Sequence, residues 1–86
     1  MAVEEKVGIV TEYYAKLGVA GISLTDGPLQ VGDTIRVHGH NTDFTQEVES
    51  IQVEHAPIQR VERGSQVAVK VRERARRNDQ VLLVRE

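Results

Sequence analysis

The chain has 86 residues, a formal net charge of −2 and no cysteine. This length corresponds to one small domain that does not require disulfides or metals, and the missing cysteine excludes a disulfide framework and a cysteine-ligated zinc site. No apolar run approaches the roughly 18 residues that span a bilayer, and the N-terminal sequence lacks the pattern of a signal peptide. We therefore expect a cytoplasmic protein without a membrane partner.

Hydrophobic alternation predicts an all-β chain of six short strands. The core is expected to be aliphatic, because the chain has one phenylalanine and no tryptophan, and valine recurs in the candidate strands. Residues 1–6 are polar and are expected to form a disordered N-terminus, with the folded domain over residues 7–86. The predicted strands cover residues 7–14, 19–24, 34–38, 44–54, 66–71 and 80–85.

Glycines and turn residues interrupt or separate the predicted strands in the first part of the chain. Gly8 predicts a β-bulge, or the close approach of another backbone, inside the first strand. A helix through residues 10–25 is the competing interpretation, but Gly18 and Gly21 would each cost it about 1 kcal/mol. Residues 25–28, Thr-Asp-Gly-Pro, predict a turn.

The stretch over residues 29–39 combines a tight turn with a short strand. Gly32 supplies backbone freedom at the turn, and Asp33 can cap it through its own side chain. Polar residues then alternate with Ile35 and Val37, which predicts one solvated face and one buried face.

The longest predicted strand, residues 44–54, changes phase midway. Its apolar residues lie at even positions up to Val48 and at odd positions from Ile51 onward, so a strict period of two cannot bury them all on one face. An inserted residue near positions 49–50 would restore the register, which predicts a β-bulge there.

The second half of the chain completes the strand count. Residues 55–64 are interpreted as a connection, since Pro57 argues against a central strand. Six strands with close turns and no helix indicate a closed antiparallel sandwich or barrel, in which no strand edge is left unpaired.

Five segments together resemble a known domain. They are residues 7–10, 29–37, 48–53, 63–69 and 78–82. In this order they resemble the second domain of translational GTPases such as elongation factor Tu, and overall they look like small translation elongation factor-like proteins. The resemblance implies a small closed six-stranded antiparallel Greek-key-like β-barrel. A similar barrel also looks like an appendage of some collagenase-like peptidases.

The same resemblance implies a binding surface. In elongation factor Tu this barrel helps to hold the aminoacylated end of tRNA, and an ungapped alignment places Gln52, His55 and Gln66 near that end. Gln52 and His55 differ from the side chains of the factor, and Ala68 replaces a glycine that is usual in the family. No Gly-x-x-x-x-Gly-Lys-Ser/Thr phosphate loop is present, so no nucleotide is expected.

Charge is distributed unevenly along the chain. Residues 1–55 hold three basic and nine acidic groups, a net of −6, whereas residues 56–86 hold eight basic and four acidic groups, a net of +4. If the fifth predicted strand continued, alternate cations would project on one side about 7 Å apart. Such a ridge suits phosphates or an acidic protein surface, and a solvated, charge-protected edge is the alternative. The basic segment comprises Lys70, Arg72, Arg74, Arg76 and Arg77.

Catalysis and metal binding find less support in the sequence. His38 and His40 share one face of a strand, with His55 and Asp43 as possible further ligands, but no sequence-local third ligand completes the set. The sequence has no cysteine and no Gly-x-Ser-x-Gly nucleophile elbow, so nucleophilic catalysis is not expected. We predict no catalytic residue, no metal and no cofactor.

The sequence therefore predicts a non-catalytic binding module of the translation-factor barrel type that contacts RNA or the ribosome. The alternative is a protein-interaction barrel that docks on an enzyme or a GTPase, with no nucleic-acid role. One tyrosine of the Tyr13-Tyr14 pair should be exposed and able to anchor a partner, because consecutive strand residues face opposite ways.

Overall fold

Ten β-strands, all paired antiparallel, make up the computed structural model, which describes residues 3–85. They are β1 (Val3–Tyr14), β2 (Val19–Ser23), β3 (Leu29–Gln30), β4 (Thr34–Gly39), β5 (Thr42–Glu47), β6 (Ile51–Val53), β7 (Ala56–Ile58), β8 (Arg60–Val61), β9 (Gln66–Lys70) and β10 (Gln80–Arg85). Eight strands form one sheet in the order β5-β4-β10-β1-β2-β9-β6-β7, and β3 pairs with β8. The all-β prediction is confirmed.

The core is aliphatic, as the composition predicts. Inward-facing residues alternate with outward-facing ones along β4 and β9, so that Ile35 and Val37 are buried on one strand and Val67 and Val69 on the other. Burial of branched aliphatic side chains contributes about 1.5–3 kcal/mol per residue relative to exposure. Within residues 3–85, no helix is long and apolar enough to cross a membrane. The cytoplasmic location stays a prediction.

The first strand begins earlier than expected. Val3 pairs with Arg85 and Lys6 pairs with Leu82, so the part of the predicted disordered N-terminus that the structure describes lies in β1. The prediction was wrong there because polar residues at the end of a strand are ordered when a distant strand pairs with them. Met1 and Ala2 lie outside the described residues.

Gly8 marks a close approach of two backbones, as predicted. The register of β1 against β10 shifts between Lys6 and Gly8, and a Cβ added to Gly8 would collide with the backbone oxygen of Ser23. A second shift, between Val10 and Glu12, lies in the pairing of β1 with β2. These irregularities bend the longest strand between its two neighbours.

The turn before β4 is built as the sequence predicts. Gly32 has a φ of 99°, in the left-handed region that favours glycine. The Asp33 carboxylate accepts a hydrogen bond from the Gln30 N–H at 3.0 Å, and the Asp33 N–H donates to the Gln30 carbonyl oxygen at 3.1 Å. Asp33 therefore holds the turn through both its side chain and its backbone.

Residues 44–54 form two strands instead of the single bulged strand that was predicted. β5 pairs with β4 at one side of the sheet, whereas β6 pairs with β7 and β9 at the other. The change of phase at positions 49–50 therefore marks a crossing between strands, and no β-bulge forms there. Val48 is buried at the crossing, and its backbone bonds both Gly32 and Asp33.

The predicted closed six-stranded barrel is wrong in strand count and in closure. β3, β7 and β8 are additional short strands, and within residues 3–85 no backbone ladder joins the outermost strands β5 and β7. β3 and β8 form a separate two-stranded sheet beside this gap, where the Val31 N–H also donates to the Gln59 carbonyl oxygen at 2.9 Å.

One side chain bridges the open side of the sheet. Gln46 on β5 is 4% exposed, and its Nε2 donates to the Lys70 carbonyl oxygen at 2.9 Å. Its Oε1 accepts from the Arg72 N–H at 2.7 Å. The carboxamide of Gln46 thus occupies the position of a peptide group and joins β5 to the end of β9, where backbone pairing is missing.

We expect Gln46→Ala to lower the free energy of unfolding by about 2–3 kcal/mol, because it leaves the backbone groups of Lys70 and Arg72 without their partner. Urea denaturation followed by circular dichroism measures the change. Glu47→Gln, at the exposed neighbouring position, is the control and should remain within about 0.5 kcal/mol of wild type. A Gln46→Ala protein as stable as this control would contradict the bridging role.

Candidate binding groove

A shallow groove lies on the outer face of β2, β9 and β6, with a volume of about 310 Å³. This is at the small end of the roughly 300–1,000 Å³ that is typical of ligand pockets. Its ten lining residues are Tyr14, Leu17, Val19, Gly21, Gln52, Glu54, His55, Gln66, Val67 and Ala68.

Small residues form the floor of the groove. Ala68 on β9 pairs with Gly21 on β2 and with Gln52 on β6, so the three lie in one row across the sheet. Because Val67 and Val69 face the core, Ala68 faces outward between them. At Ala68 the short side chain leaves the groove shallow, whereas the side chains of Thr11 and Gln66 lie over Gly21.

The β1–β2 turn forms an apolar wall. Gly18 has a φ of 65°, and its N–H donates to the Tyr14 carbonyl oxygen at 2.9 Å, which closes the turn. Leu17 at the turn is 69% exposed and Tyr14 is 46% exposed, whereas Tyr13 packs against the core. The prediction that one tyrosine of the pair is exposed is confirmed.

The opposite wall is a strained two-residue turn. Val53 pairs with Ala56, so Glu54 and His55 alone connect β6 to β7, and their φ values are 50° and 67°. Positive φ at both residues is typical of a type I′ turn, which favours Asn-Gly. For other residues this region costs of order 1 kcal/mol each. This hairpin was not predicted, because residues 55–64 were interpreted as a connection; Pro57 lies on the edge strand β7, not on a central strand.

The structure brings together the three residues selected from the resemblance. Gln52, His55 and Gln66 all line the groove, although they come from three different segments of the chain. The Gln66 side chain is oriented by a hydrogen bond that its Nε2 donates to Thr11 Oγ1 at 2.8 Å. Its Oε1 takes no part in that bond. That these residues contact a partner stays a prediction.

The predicted basic ridge does not form, because β9 ends at Lys70 and the chain continues as a loop to Asp79. Val71, Ala75 and Asp79 are buried within that loop. Arg72 forms an ion pair with Glu49 at 3.0 Å. The remaining cations of the segment, Lys70, Arg74, Arg76 and Arg77, are exposed.

Asp79 organises this loop. Its Oδ2 accepts from the Arg76 N–H at 2.7 Å, and its carbonyl oxygen accepts from the Val10 N–H at 2.8 Å. A Cβ added to Gly39 would collide with the Asp79 carboxylate, so the loop packs closely on the end of β4. These contacts fold the basic segment back onto the core and prevent a continuous strand.

The histidines do not converge on one site. His38 faces Asp43 across β4 and β5, but Arg36 holds Asp43 through two hydrogen bonds of 2.8 Å. His55 lies on the β6–β7 turn, five positions from β4 in the sheet order. Across the part of the chain that the structure describes, no group of three or more His, Cys, Asp or Glu side chains is placed to hold a metal ion.

No protein-family model matches the sequence. Among curated proteins, the chain is 35% identical over 82 residues to an uncharacterized protease of Methanocaldococcus jannaschii, covering 94% of this chain and 20% of that protein. It is 32% identical over 76 residues to a collagenase of Porphyromonas gingivalis, covering 87% of this chain and 21% of the collagenase. The chain therefore spans about a fifth of the length of the curated relatives it matches.

A solved structure shares the fold. The C-terminal domain of a putative U32 peptidase of Geobacillus thermoleovorans superposes with a TM-score of 0.85 over 92% of this chain and 91% of that chain, at 22% identity. A selenomethionine variant of that domain gives a TM-score of 0.80 over 95% and 99% of the two chains. At this level of identity, the superposition shows the fold alone.

These similarities correct the predicted resemblance. They are to proteases, a collagenase and a peptidase domain, so the assignment to the second domain of translational GTPases is wrong. The sequence segments were matched to a β-domain of the wrong family. The RNA or ribosome role depended on that resemblance and on the basic ridge, and neither support remains. The second resemblance, to an appendage of collagenase-like peptidases, agrees with the proteins found.

We expect Asp43→Asn to reduce the loss of thermal stability in acid. Hydrogen bonds from Arg36, followed by its charge, lower the pKa of Asp43 in the folded protein. A lowered pKa contributes stability above the unfolded value of about 4, and this contribution is lost as pH falls through the folded pKa. Melting temperatures between about pH 5 and pH 2 should therefore fall less steeply in Asp43→Asn and in Arg36→Gln. Parallel profiles for wild type and Asp43→Asn would contradict the pairing.

We expect the double substitution Glu54→Asn with His55→Gly to raise the free energy of unfolding by about 1 kcal/mol. Asn and Gly adopt the positive φ values of a type I′ turn with less backbone strain than Glu and His. The control is His40→Asn with Asn41→Gly in the two-residue β4–β5 turn, where neither residue has a positive φ. The control should gain nothing. Equal effects at the two turns, measured by urea denaturation, would refute strain at residues 54–55.

Proposed function

We propose that this chain is a non-catalytic accessory domain that works with a U32-type peptidase and contributes to binding of its polypeptide substrate. One observation carries the proposal. Nearly all of this chain matches proteases of which it covers only about a fifth, and it superposes over almost its whole length on a C-terminal domain of a U32 peptidase. Such coverage is typical of a domain that accompanies a larger catalytic part.

The chemistry of the groove supports binding over catalysis. Two of its polar side chains, Gln52 and Gln66, are carboxamides, which form hydrogen bonds but do not take up or release protons at neutral pH. Its titratable side chains include Glu54 and His55, which lie on an exposed turn. Enclosure in a water-poor site is what shifts such groups toward acid–base catalysis.

The protein-interaction alternative from the sequence is compatible with this proposal. A domain that docks on an enzyme acts through exposed anchors, and Tyr14 and Leu17 are large exposed residues beside one groove. The partner enzyme we propose is a peptidase, since the curated relatives are named as a protease and collagenases.

The catalytic part of the proposal is tested by incubating the purified chain with fluorescein-labelled gelatin and with labelled casein. We expect no release of fluorescent fragments above a buffer blank. The variants Glu54→Gln and His55→Gln identify a true activity, and Asp26→Asn, in a turn outside the groove, is the control. Hydrolysis that disappears in either groove variant and persists in the control would overturn the proposal.

The accessory part is tested by grafting. The Porphyromonas gingivalis collagenase can be trimmed of the 76 residues that match this chain and then fused to this chain at the same place. We expect the fusion to have a KM for gelatin several-fold below that of the trimmed enzyme, with kcat changed by less than about twofold, because added uniform binding lowers KM alone. An unchanged KM would contradict a role in substrate binding.

A further inference from the structure

We propose that the groove binds a short extended segment of the polypeptide substrate and that Gln52 and Gln66 hold the backbone of that segment. This inference rests on the proposed function and assigns it to a particular surface. Five features of the groove carry it: its size, the chemistry of its carboxamides, their spacing, the small floor and the blunted strand edge beside it.

The size of the groove suits a segment and not a folded partner. Ten residues line it, around about 310 Å³. A stable interface between folded proteins uses roughly 20–30 residues on each side. The groove by itself is therefore too small to be a whole interface with a second copy of this chain or with a catalytic domain, whereas it accommodates a few residues of an unfolded chain.

The same molecule shows how a glutamine binds an extended backbone. Gln46 donates to the Lys70 carbonyl oxygen and accepts from the Arg72 N–H, so one carboxamide satisfies groups two residues apart. The Gln52 side chain has no hydrogen-bond partner among residues 3–85, and its donor and acceptor are both available. Gln66 uses Nε2 on Thr11 and retains Oε1 as an acceptor. Together the two side chains complement peptide N–H and C=O groups.

The spacing of the two glutamines matches an extended peptide. Gln52 pairs directly with Ala68, and Gln66 precedes Ala68 by two residues on the same outward face of β9. Diagonal neighbours of this kind are about 7–8 Å apart across a sheet. An extended chain repeats about every 7 Å, two residues, on one side. One segment can therefore present backbone groups to both glutamines.

The floor and the turn wall define which side chains fit. The short side chain of Ala68 permits a backbone or a small side chain to lie close to β9. Tyr14 and Leu17 then offer an apolar contact to a neighbouring residue of the segment. We expect a preference for segments in which a small residue is followed or preceded by an apolar one.

Strand addition at the adjacent edge is a poor alternative. β7 is the outermost strand there, has only three residues and carries Pro57 at its centre. Proline lacks the N–H that a pairing strand requires, and prolines blunt edges in this way. The segment is therefore held in the groove, by side chains, instead of extending the sheet.

Fluorescence anisotropy with fluorescein-labelled gelatin fragments tests the inference. We expect saturable binding to the wild-type chain, weakened at least about tenfold by Gln52→Ala with Gln66→Ala, since two hydrogen bonds are lost. The control is Gln80→Ala, an exposed glutamine on β10 outside the groove. Ala68→Tyr, which fills the floor, should weaken binding as strongly. Circular dichroism confirms that each variant is folded.

Three outcomes would overturn the inference. They are no binding by wild type, equal binding by wild type and the double glutamine variant, or self-association at assay concentrations that Ala68→Tyr abolishes, which would make a second copy the occupant. The result also separates the two proposals. If the chain neither hydrolyses nor binds gelatin, only the assignment of the groove is rejected. If the chain hydrolyses gelatin, the proposed non-catalytic function is rejected.

Discussion

The carboxamide of Gln46 is the constraint on which the arrangement of this sheet depends. It joins β5, at one side of the sheet, to the point where β9 ends at Lys70, and backbone pairing is missing across that interval. Because β9 also supplies Gln66 and Ala68 to the groove, the same side chain fixes the groove's central strand against the far side of the molecule. A buried carboxamide with both partners satisfied is well suited to this, since it specifies one geometry.

The local features of the fold could be predicted from the sequence. Alternation around Ile35 and Val37 identified a half-buried strand, and Gly32-Asp33 identified its turn, because both depend on residues close in the chain. The phase change before Ile51 was also located correctly. Gln46 was overlooked although its even position, in phase with buried Phe44 and Val48, places it on the inner face. A polar residue at a core position was the available signal.

Features that depend on distant contacts could not be predicted. The β6–β7 hairpin has no Asn-Gly sequence at its turn. Its strand β6 is held by pairing with β9, which is distant in the sequence, and Glu54 and His55 adopt positive φ in the turn that follows. The basic ridge required β9 to continue beyond Lys70, but β9 ends there and the segment forms a loop in which Val71 and Ala75 are buried. Gln52, His55 and Gln66 nevertheless line one groove, and that they contact a partner stays a prediction.

Hydrogen exchange at the Arg72 amide tests the central claim, that a side chain closes the sheet and holds the groove strand in place. Arg72 lies outside every strand, so its N–H should exchange quickly unless the Gln46 Oε1 protects it. The account predicts exchange at least about 100-fold slower than at Arg74 in the same loop, approaching the rate at buried Val69. Exchange at Arg72 as fast as at Arg74 would contradict it.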